Sequence, residues 1–169
     1  MTEVTDDGLP SSGTVVRRAT RDDLPSIGRL GALLVETHHE FDSRRFLAPT
    51  NGTRQAYASF LGTQLEEPDS AIFVAVENGD VIGYAFAAVE SYDYMALRGP
   101  AGILHDLIVD PERRGHGVGH LLLDAALAYL QSRGVPRVVL STAERNEAAQ
   151  RLFATLGFRR TMIEMTREL

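Results

Sequence analysis

Cysteine is absent from this sequence of 169 residues. Its absence excludes disulfides, thiolate metal sites and a cysteine nucleophile. Because a chain that does without disulfides fits a reducing compartment, we expect the protein to be cytoplasmic.

Long apolar runs are absent as well. No stretch approaches the roughly 20 apolar residues that a membrane-spanning helix needs. The polar, acidic start from Met1 to Ser12 also lacks the basic and apolar regions of a signal peptide. We therefore expect a flexible tail over residues 1–13 and one domain over residues 14–169.

Positive charge is in short supply. Lys and Arg number 17 against 23 Asp and Glu, and the formal net charge is -6. Proteins that bind nucleic acid or membrane surfaces normally carry an excess of basic residues. We therefore expect neither kind of partner, and a site for an anionic ligand has to be local.

The hydrophobic pattern predicts an α/β class with a mixed sheet. One helix is expected to follow the N-cap residue Thr20, and the others are Thr53–Glu66, Val118–Ser132 and Ala148–Leu156. The predicted strands are Val15–Arg18, Ile72–Val76, Val81–Val89, Ile103–Val109, Val138–Ser141 and Arg160–Glu168. Asn78 and Gly79 suit a tight hairpin turn, so the second and third strands should pair antiparallel.

The most informative segment lies between a predicted strand and a predicted helix, and reads Asp110-Pro-Glu-Arg-Arg-Gly-His-Gly-Val-Gly-His120. Its alternating glycines, at 115, 117 and 119, lack a Cβ and let the main chain approach a bulky anion. The start of a helix adds unpaired N–H groups and the positive end of the helix dipole. The basic or polarisable side chains are Arg113, Arg114, His116 and His120. The segment therefore predicts a pyrophosphate site.

Three alternative roles for these glycines fit less well. A glycine-rich turn can simply join a strand to a helix. A Walker loop requires Gly-Lys-Ser/Thr, which is absent. A dinucleotide fingerprint requires Gly-x-Gly-x-x-Gly directly after a strand, whereas Asp110 to Arg114 intervene here and position 120 is histidine. A nucleotide-dependent oxidoreductase is therefore the weaker alternative.

Arg114-Gly-His-Gly-Val-Gly119 resembles the Arg/Gln-x-x-Gly-x-Gly/Ala motif of the GNAT superfamily of acyl-CoA N-acyltransferases. Leu104-His-Asp-Leu-Ile-Val-Asp-Pro-Glu-Arg113 resembles the strand that leads into that motif. Asn146-Glu-Ala-Ala-Gln-Arg-Leu-Phe-Ala-Thr-Leu-Gly-Phe158 resembles the family's Asn-x-x-Ala-x-x-Leu-Tyr-x-x-x-Gly-Phe signature. The order of elements is similar from Val15 to Leu169.

The resemblance implies a GNAT-like mixed sheet, mostly antiparallel, splayed into a V and flanked by helices. It also implies an N-acetyltransferase that moves an acetyl group from acetyl-CoA to a primary amine of an unidentified small-molecule or peptide acceptor. No metal is implied, and the homodimers common in the family make a homodimer an expectation here.

The resemblance further implies which residues hold the co-substrate. Main-chain groups of Leu107, Ile108 and Val109 would bind the pantetheine arm, and an N–H of Ile108 or Val109 would donate to the thioester carbonyl. Asn146 would bond near the pantetheine, or would only cap the helix that follows it. The pyrophosphate would be held by Arg114, Gly115, His116, Gly117, Val118, Gly119 and His120.

An amine must lose a proton before it attacks, so a general base is expected unless the free amine suffices. The candidates are His105 and Asp106, and His105 stands where related members carry an acid. Imidazole suits proton transfer at neutral pH. Because side chains alternate along a strand, the two are expected on opposite faces, with His105 as the favoured base. Alternatively, His105 is a surface residue and Asp106 only bonds a neighbouring main-chain donor.

Phe153 departs from the family signature. The usual tyrosine is proposed to protonate the departing CoA thiolate, and a phenylalanine ring beside the cofactor keeps the packing but has no proton to donate. The departure supports an alternative in which the chain is a CoA-binding regulatory module without transfer activity.

Two further groups stand out. Glu36-Thr-His-His-Glu40 lacks the His-Glu-x-x-His spacing of a zinc helix, so we expect no metal there. By resemblance Glu36, His39 and Glu40 would lie near the acceptor, but a solvated helix end is the favoured interpretation. Tyr92 and Tyr94 either line the acceptor pocket or cover the core beneath a loop.

Overall fold

A computed structural model describes residues 13–169, so the predicted tail lies outside the described residues except for Gly13. The helices are α1 (Leu24–Phe41), α2 (Thr53–Gln64), α3 (Val118–Ser132) and α4 (Glu147–Thr155). The strands are β1 (Val15–Arg18), β2 (Ser70–Glu77), β3 (Asp80–Glu90), β4 (Ala101–Val109) and β5 (Val138–Leu140).

The strands form one mixed sheet in the order β1-β2-β3-β4-β5. The first four pair antiparallel, and β5 runs parallel to β4. Asn78 and Gly79 join β2 to β3 with φ angles of 52° and 87°, which is the backbone that a tight hairpin turn requires. The predicted fold class and hairpin are therefore confirmed.

The sheet is the middle layer between two pairs of helices. Alternate residues of β3 face opposite sides, so that Ala85 and Ala87 join the core beneath α3 and α4, whereas Tyr84 and Phe86 join the core beneath α1 and α2. Because both faces are covered, nearly every residue of β3 is buried. The two cores hold β3 and β4 rigidly between them.

The entry to α1 is fixed by Asp23, which is buried. Arg17 donates to both carboxylate oxygens over 2.7 and 2.9 Å, and the main-chain N–H of Thr20 donates over 2.8 Å. These bonds, that from Arg17 above all, lower the pKa of Asp23 to about 2. The predicted start of this helix at Thr20 is thereby explained, with a short 3-10 turn at Arg21–Asp23 before α1 proper.

The predicted last strand, Arg160–Glu168, is wrong. That segment forms no ladder with the sheet, and all of its residues are exposed, including Met162, Ile163 and Met165. Its ion pairs run instead to the loop after α1, from Glu164 to Arg45 and from Glu168 to Arg44. Alternation alone does not make a strand, because a strand also needs a neighbour to take up its main-chain hydrogen bonds.

Among residues 13–169, no helix combines the length and the hydropathy that a span across a lipid bilayer requires.

Candidate active site

A cleft opens between β4 and β5. The two strands pair only where Gly102, Ile103 and Leu104 lie beside Val138–Leu140. Beyond Leu104, β4 continues to Val109 without a described partner on that side. The second half of β4 therefore presents a free main-chain edge to the cleft.

The pairing with β3 determines which main-chain groups face the cleft. The N–H of Asp110 donates to the carbonyl of Ile82 over 2.8 Å. Because bonded and non-bonded pairs alternate along an antiparallel ladder, the groups of Ile108 also face β3, and those of Leu107 and Val109 face the cleft. In agreement, Nε of Arg114 donates to the carbonyl of Val109 over 3.0 Å.

The glycine segment lies at the end of this edge. Gly115 and Gly117 have φ angles of 80° and 76°, a left-handed backbone that other residues adopt only with strain. Gly117 is the N-cap of α3, no side chain caps that helix, and its first backbone bond runs from Leu121 to Gly117. Within residues 13–169, the N–H groups from Gly115 to His120 therefore have no acceptor.

Some of the side chains around the glycine segment already have hydrogen-bond or ion-pair partners, and others are exposed. Arg113 pairs with Glu77 over 2.8 Å, and Arg114 is bonded to Val109. His116 and His120 are exposed. The segment thus combines free N–H donors with basic side chains, an arrangement suited to an anion.

Helix α4 closes the same end of the cleft. Oδ1 of Asn146 accepts a hydrogen bond from the N–H of Ala149 over 3.2 Å, so this residue acts as an N-cap. Phe153 is 8% exposed and packs edge-to-face on Phe158 with 5.7 Å between ring centroids. Its ring belongs to the core beneath α3 and α4, together with Val109.

His105 forms a bulge in β4. Phe86 is opposite Asp106 and Ala87 is opposite Leu104, so His105 has no counterpart on β3. A bulge interrupts the alternation of side chains, because it inserts one residue into one strand. The expectation that His105 and Asp106 lie on opposite faces is therefore wrong: both side chains face α2.

These two side chains line a cavity of 390 Å³. The cavity lies on the face of the sheet covered by α1 and α2. Its walls are Tyr57, Phe60 and Gln64 of α2, Phe86, Ala88 and Glu90 of β3, and His105 and Asp106 of β4.

Asp106 is held by two tyrosine hydroxyls. Tyr84 donates to its Oδ2 over 2.9 Å, and Tyr57 donates to the same oxygen over 3.3 Å. Burial raises the pKa of Asp106 above its usual range, although these hydrogen bonds and the nearby imidazoles of His105 and His38 act in the opposite direction. Burial likewise raises the pKa of Tyr84 and of Tyr57.

The position of Tyr57 depends on a glycine of α1. A Cβ at Gly31 would lie 2.2 Å from Cδ1 of the Tyr57 ring, closer than two carbon atoms can approach. Gly31 therefore leaves the space in which the ring crosses α1 and brings its hydroxyl to Asp106. Tyr57, Phe60 and Leu61 recur in the sequence at helical spacing, a pattern that predicts an apolar role for Tyr57. No sequence signal relates Tyr57 to Asp106.

His105 is oriented by two residues of β3. Its Nε2 lies 3.3 Å from Oε1 of Glu90, and its ring stacks on Phe86 with 4.8 Å between centroids. The other oxygen of Glu90 accepts a hydrogen bond from Arg98 over 2.7 Å. Sequence reasoning missed Glu90, although the alternation of Tyr84, Phe86 and Ala88 along one face of β3 extends to it.

The remaining sequence candidates lie away from this cavity. Glu36 and Glu40 are exposed on α1, and His39 bonds through Nδ1 to the carbonyl of Phe46 over 3.1 Å. Tyr92 and Tyr94 stack on each other, are mostly exposed, and line a second cleft that meets the cavity only at Glu90. Among the residues that the structure describes, no three His, Asp or Glu side chains form a metal-binding group.

The sequence matches the profile of the acetyltransferase (GNAT) family over residues 33–158. The chain belongs to this family. A mycothiol acetyltransferase of Thermobispora bispora is 38% identical over 96 residues, which are 57% of this chain and 32% of that protein. An uncharacterised N-acetyltransferase of Bacillus subtilis, YhfO, is 33% identical over 104 residues, which are 62% of this chain and 68% of that protein. The chain therefore spans about a third of the mycothiol acetyltransferase.

Solved structures share the fold. A mutant of the BH1408 protein from Bacillus halodurans superposes with a TM-score of 0.80 at 23% identity, covering 92% of this chain and 99% of that one. The aminoglycoside N-acetyltransferase AAC(6')-Iy in complex with CoA superposes with a TM-score of 0.71 at 20% identity, covering 95% and 98% of the two chains.

Proposed function

We propose that this protein is an N-acetyltransferase that passes the acetyl group of acetyl-CoA to a primary amine of a small molecule by direct attack. One observation carries the proposal: β4 leads into the segment with unsatisfied N–H groups from Gly115 to His120, and the same strand supplies His105 and Asp106 to the wall of the cavity. Mycothiol and aminoglycoside acetyltransferases among the similar proteins support a small-molecule acceptor.

The residues of the cleft fit the co-substrate. N–H groups from Gly115 to His120, with Arg114 beside them, would bind the pyrophosphate. The free main-chain edge at Leu107 and Val109 would bond the pantetheine arm, and one of their N–H groups would donate to the acyl oxygen as it gains charge. Acetyl-CoA supplies the acetyl group as a thioester, and its binding site requires no metal.

Two side chains of the cavity would bind the amine and remove its proton. Asp106 would hold the ammonium group of the acceptor, and His105 would take its proton, as a general base. Glu90 orients the imidazole through its 3.3 Å contact. Because the side chain of His105 is 35% exposed, the proton can pass from it to solvent.

Phe153 does not protonate the departing thiol. A thiol has a reference pKa of about 8.5, so it leaves tolerably as thiolate near neutral pH. Oδ1 of Asn146 accepts the hydrogen bond that caps α4. An amide oxygen has two lone pairs, so the same atom can also accept a hydrogen bond from the pantetheine.

The absence of cysteine makes the test of transfer simple. Incubation with acetyl-CoA and a panel of primary amines should release thiol, and every thiol detected comes from CoA, because the protein has none. Mass spectrometry of the amine should show its acetylated form. Thiol release that does not depend on the amine would contradict the proposal.

Phe153 favours one second candidate, a CoA-binding regulatory module without transfer activity. Calorimetry together with the thiol assay separates the two. Both a module and an enzyme bind acetyl-CoA, but a module releases no thiol with any amine, whereas an enzyme releases thiol when an amine acceptor is present. A cytoplasmic location and a homodimer stay predictions.

A further inference from the structure

The cavity beside Asp106 has aromatic walls. Phe60 and Phe86 meet edge-to-face with 6.2 Å between ring centroids, and Phe86 stacks on His105. The side chain of Phe60 is only half-buried, at 51% exposure. A ligand that covers Phe60 removes this apolar surface from water, so the walls favour a ligand with an apolar body.

Two carboxyl groups line the cavity, and the one basic side chain among its lining residues is the imidazole of His105, which contacts Glu90. The carboxyl groups belong to Glu90 and Asp106, and none of the lining residues is Lys or Arg. Arg98 contacts the far oxygen of Glu90 and does not line the cavity.

Asp106 has one oxygen left for a ligand. Both tyrosine hydroxyls donate to Oδ2, and within residues 13–169 no group donates to Oδ1. A partly buried carboxyl group with a free oxygen on the wall of a cavity is suited to an ammonium group.

We infer that the acceptor is an amine whose ammonium group binds at Oδ1 of Asp106, whose body is uncharged and preferably aromatic, and which carries no carboxylate beside the amine. This inference rests on the proposed function, because it names the substrate class of the same site. An α-amino acid would bring its carboxylate next to Asp106 and Glu90 without any Lys or Arg in the wall to pair with it. Like charges in such a cavity disfavour binding.

Matched pairs of amines test this directly. The kcat/KM for thiol release should be at least about tenfold higher with 2-phenylethylamine than with L-phenylalanine, and likewise with tyramine than with L-tyrosine. Equal or better use of the amino acids would overturn the inference, while leaving acetyl transfer to amines intact. If no amine supports thiol release, the proposed function is refuted, but the inference can still be tested. The affinities of the same pairs, measured by calorimetry, then show whether the cavity prefers the amine to the amino acid.

A change of one wall residue provides a second test. Gln64→Arg places a cation in the wall, and Gln64→Met is the neutral variant of similar length. The arginine variant should narrow the ratio of the two kcat/KM values at least about threefold relative to the methionine variant, because the carboxylate of phenylalanine gains a partner. An unchanged ratio in a folded arginine variant would show that charge in this cavity does not select the acceptor.

Discussion

The hydroxyl of Tyr84 donates a 2.9 Å hydrogen bond to Oδ2 of Asp106, a residue that lines the cavity. The other carboxylate oxygen, Oδ1, is left to bind a ligand. Tyr84 is completely buried, and its ring is part of the core beneath α1 and α2. The core thereby fixes the orientation of a carboxyl group that lies on the wall of the candidate site.

Removal of this hydroxyl should change the pH dependence of transfer. A hydrogen bond to the ionised carboxylate lowers its pKa, so Tyr84→Phe should raise the pKa of Asp106 further. The low-pH limb of kcat/KM should then move up by about one pH unit, since a charged hydrogen bond is worth about 1.5–3 kcal/mol. Tyr57→Phe, which removes the longer bond, is the matched control and should move the limb less. No movement in either variant would mean that Asp106 need not be ionised.

The same carboxyl group should lower stability at neutral pH. Its pKa is raised on folding, so its stabilising contribution is present below the unfolded value of about 3.9 and is lost as pH rises through the folded value. Asp106→Asn should therefore increase the free energy of unfolding at pH 8, and increase it less at low pH, measured by chemical denaturation, and should abolish most transfer. A large loss of stability would instead assign Asp106 a purely structural role.

The glycine segment should be sensitive to bulk and negative charge. Gly117→Asp places a carboxylate where the pyrophosphate is proposed to bind, so the affinity for acetyl-CoA measured by calorimetry should fall at least about tenfold. Gly134→Asp is the matched control, because its φ of 71° imposes similar strain and it lies beyond the other end of α3. Equal affinities of the two folded variants for acetyl-CoA would show that the glycine segment is not the co-substrate site.

Phe153 offers a test of how close α4 comes to the departing thiol. Its ring is 8% exposed in an apolar core, so the hydroxyl added in Phe153→Tyr needs a partner or costs about 1–3 kcal/mol of stability. We expect lower stability and no rise in turnover. A faster variant of unchanged stability would place the ring edge beside the sulfur, as the resemblance implies.

His105 should matter most where amines are protonated. In His105→Ala the rate of thiol release should be lowest relative to wild type near neutral pH, by about 10²-fold. The loss should shrink as pH rises, because the amine then loses its proton without help. A loss that is uniform across pH would indicate that the imidazole only positions the acceptor.

Local patterns predict most of the fold. The N-cap at Thr20, the turn at Asn78 and Gly79, and the glycine segment before α3 each depend on nearby residues, and each lies where expected. The prediction for the end of the chain is wrong, because the alternation of Arg160–Glu168 says nothing about whether a neighbouring strand is available.

The acceptor side is harder to predict, because it depends on contacts between distant segments. The bulge at His105 depends on how β4 pairs with β3, which neither segment shows by itself. Tyr57 reaches Asp106 only because Gly31 lets α2 cross α1 closely. The cleft side is easier, because Leu107 to His120 are contiguous in sequence.

The most direct test of the account is the stoichiometry of transfer. With saturating acetyl-CoA and 2-phenylethylamine, the amounts of released thiol and of N-acetylated amine should rise together in equal amounts, and both should depend on the amine concentration. Equal amounts would establish transfer to the amine at this protein. Thiol released without acetylated amine, or no thiol release from folded protein that binds acetyl-CoA, would contradict it.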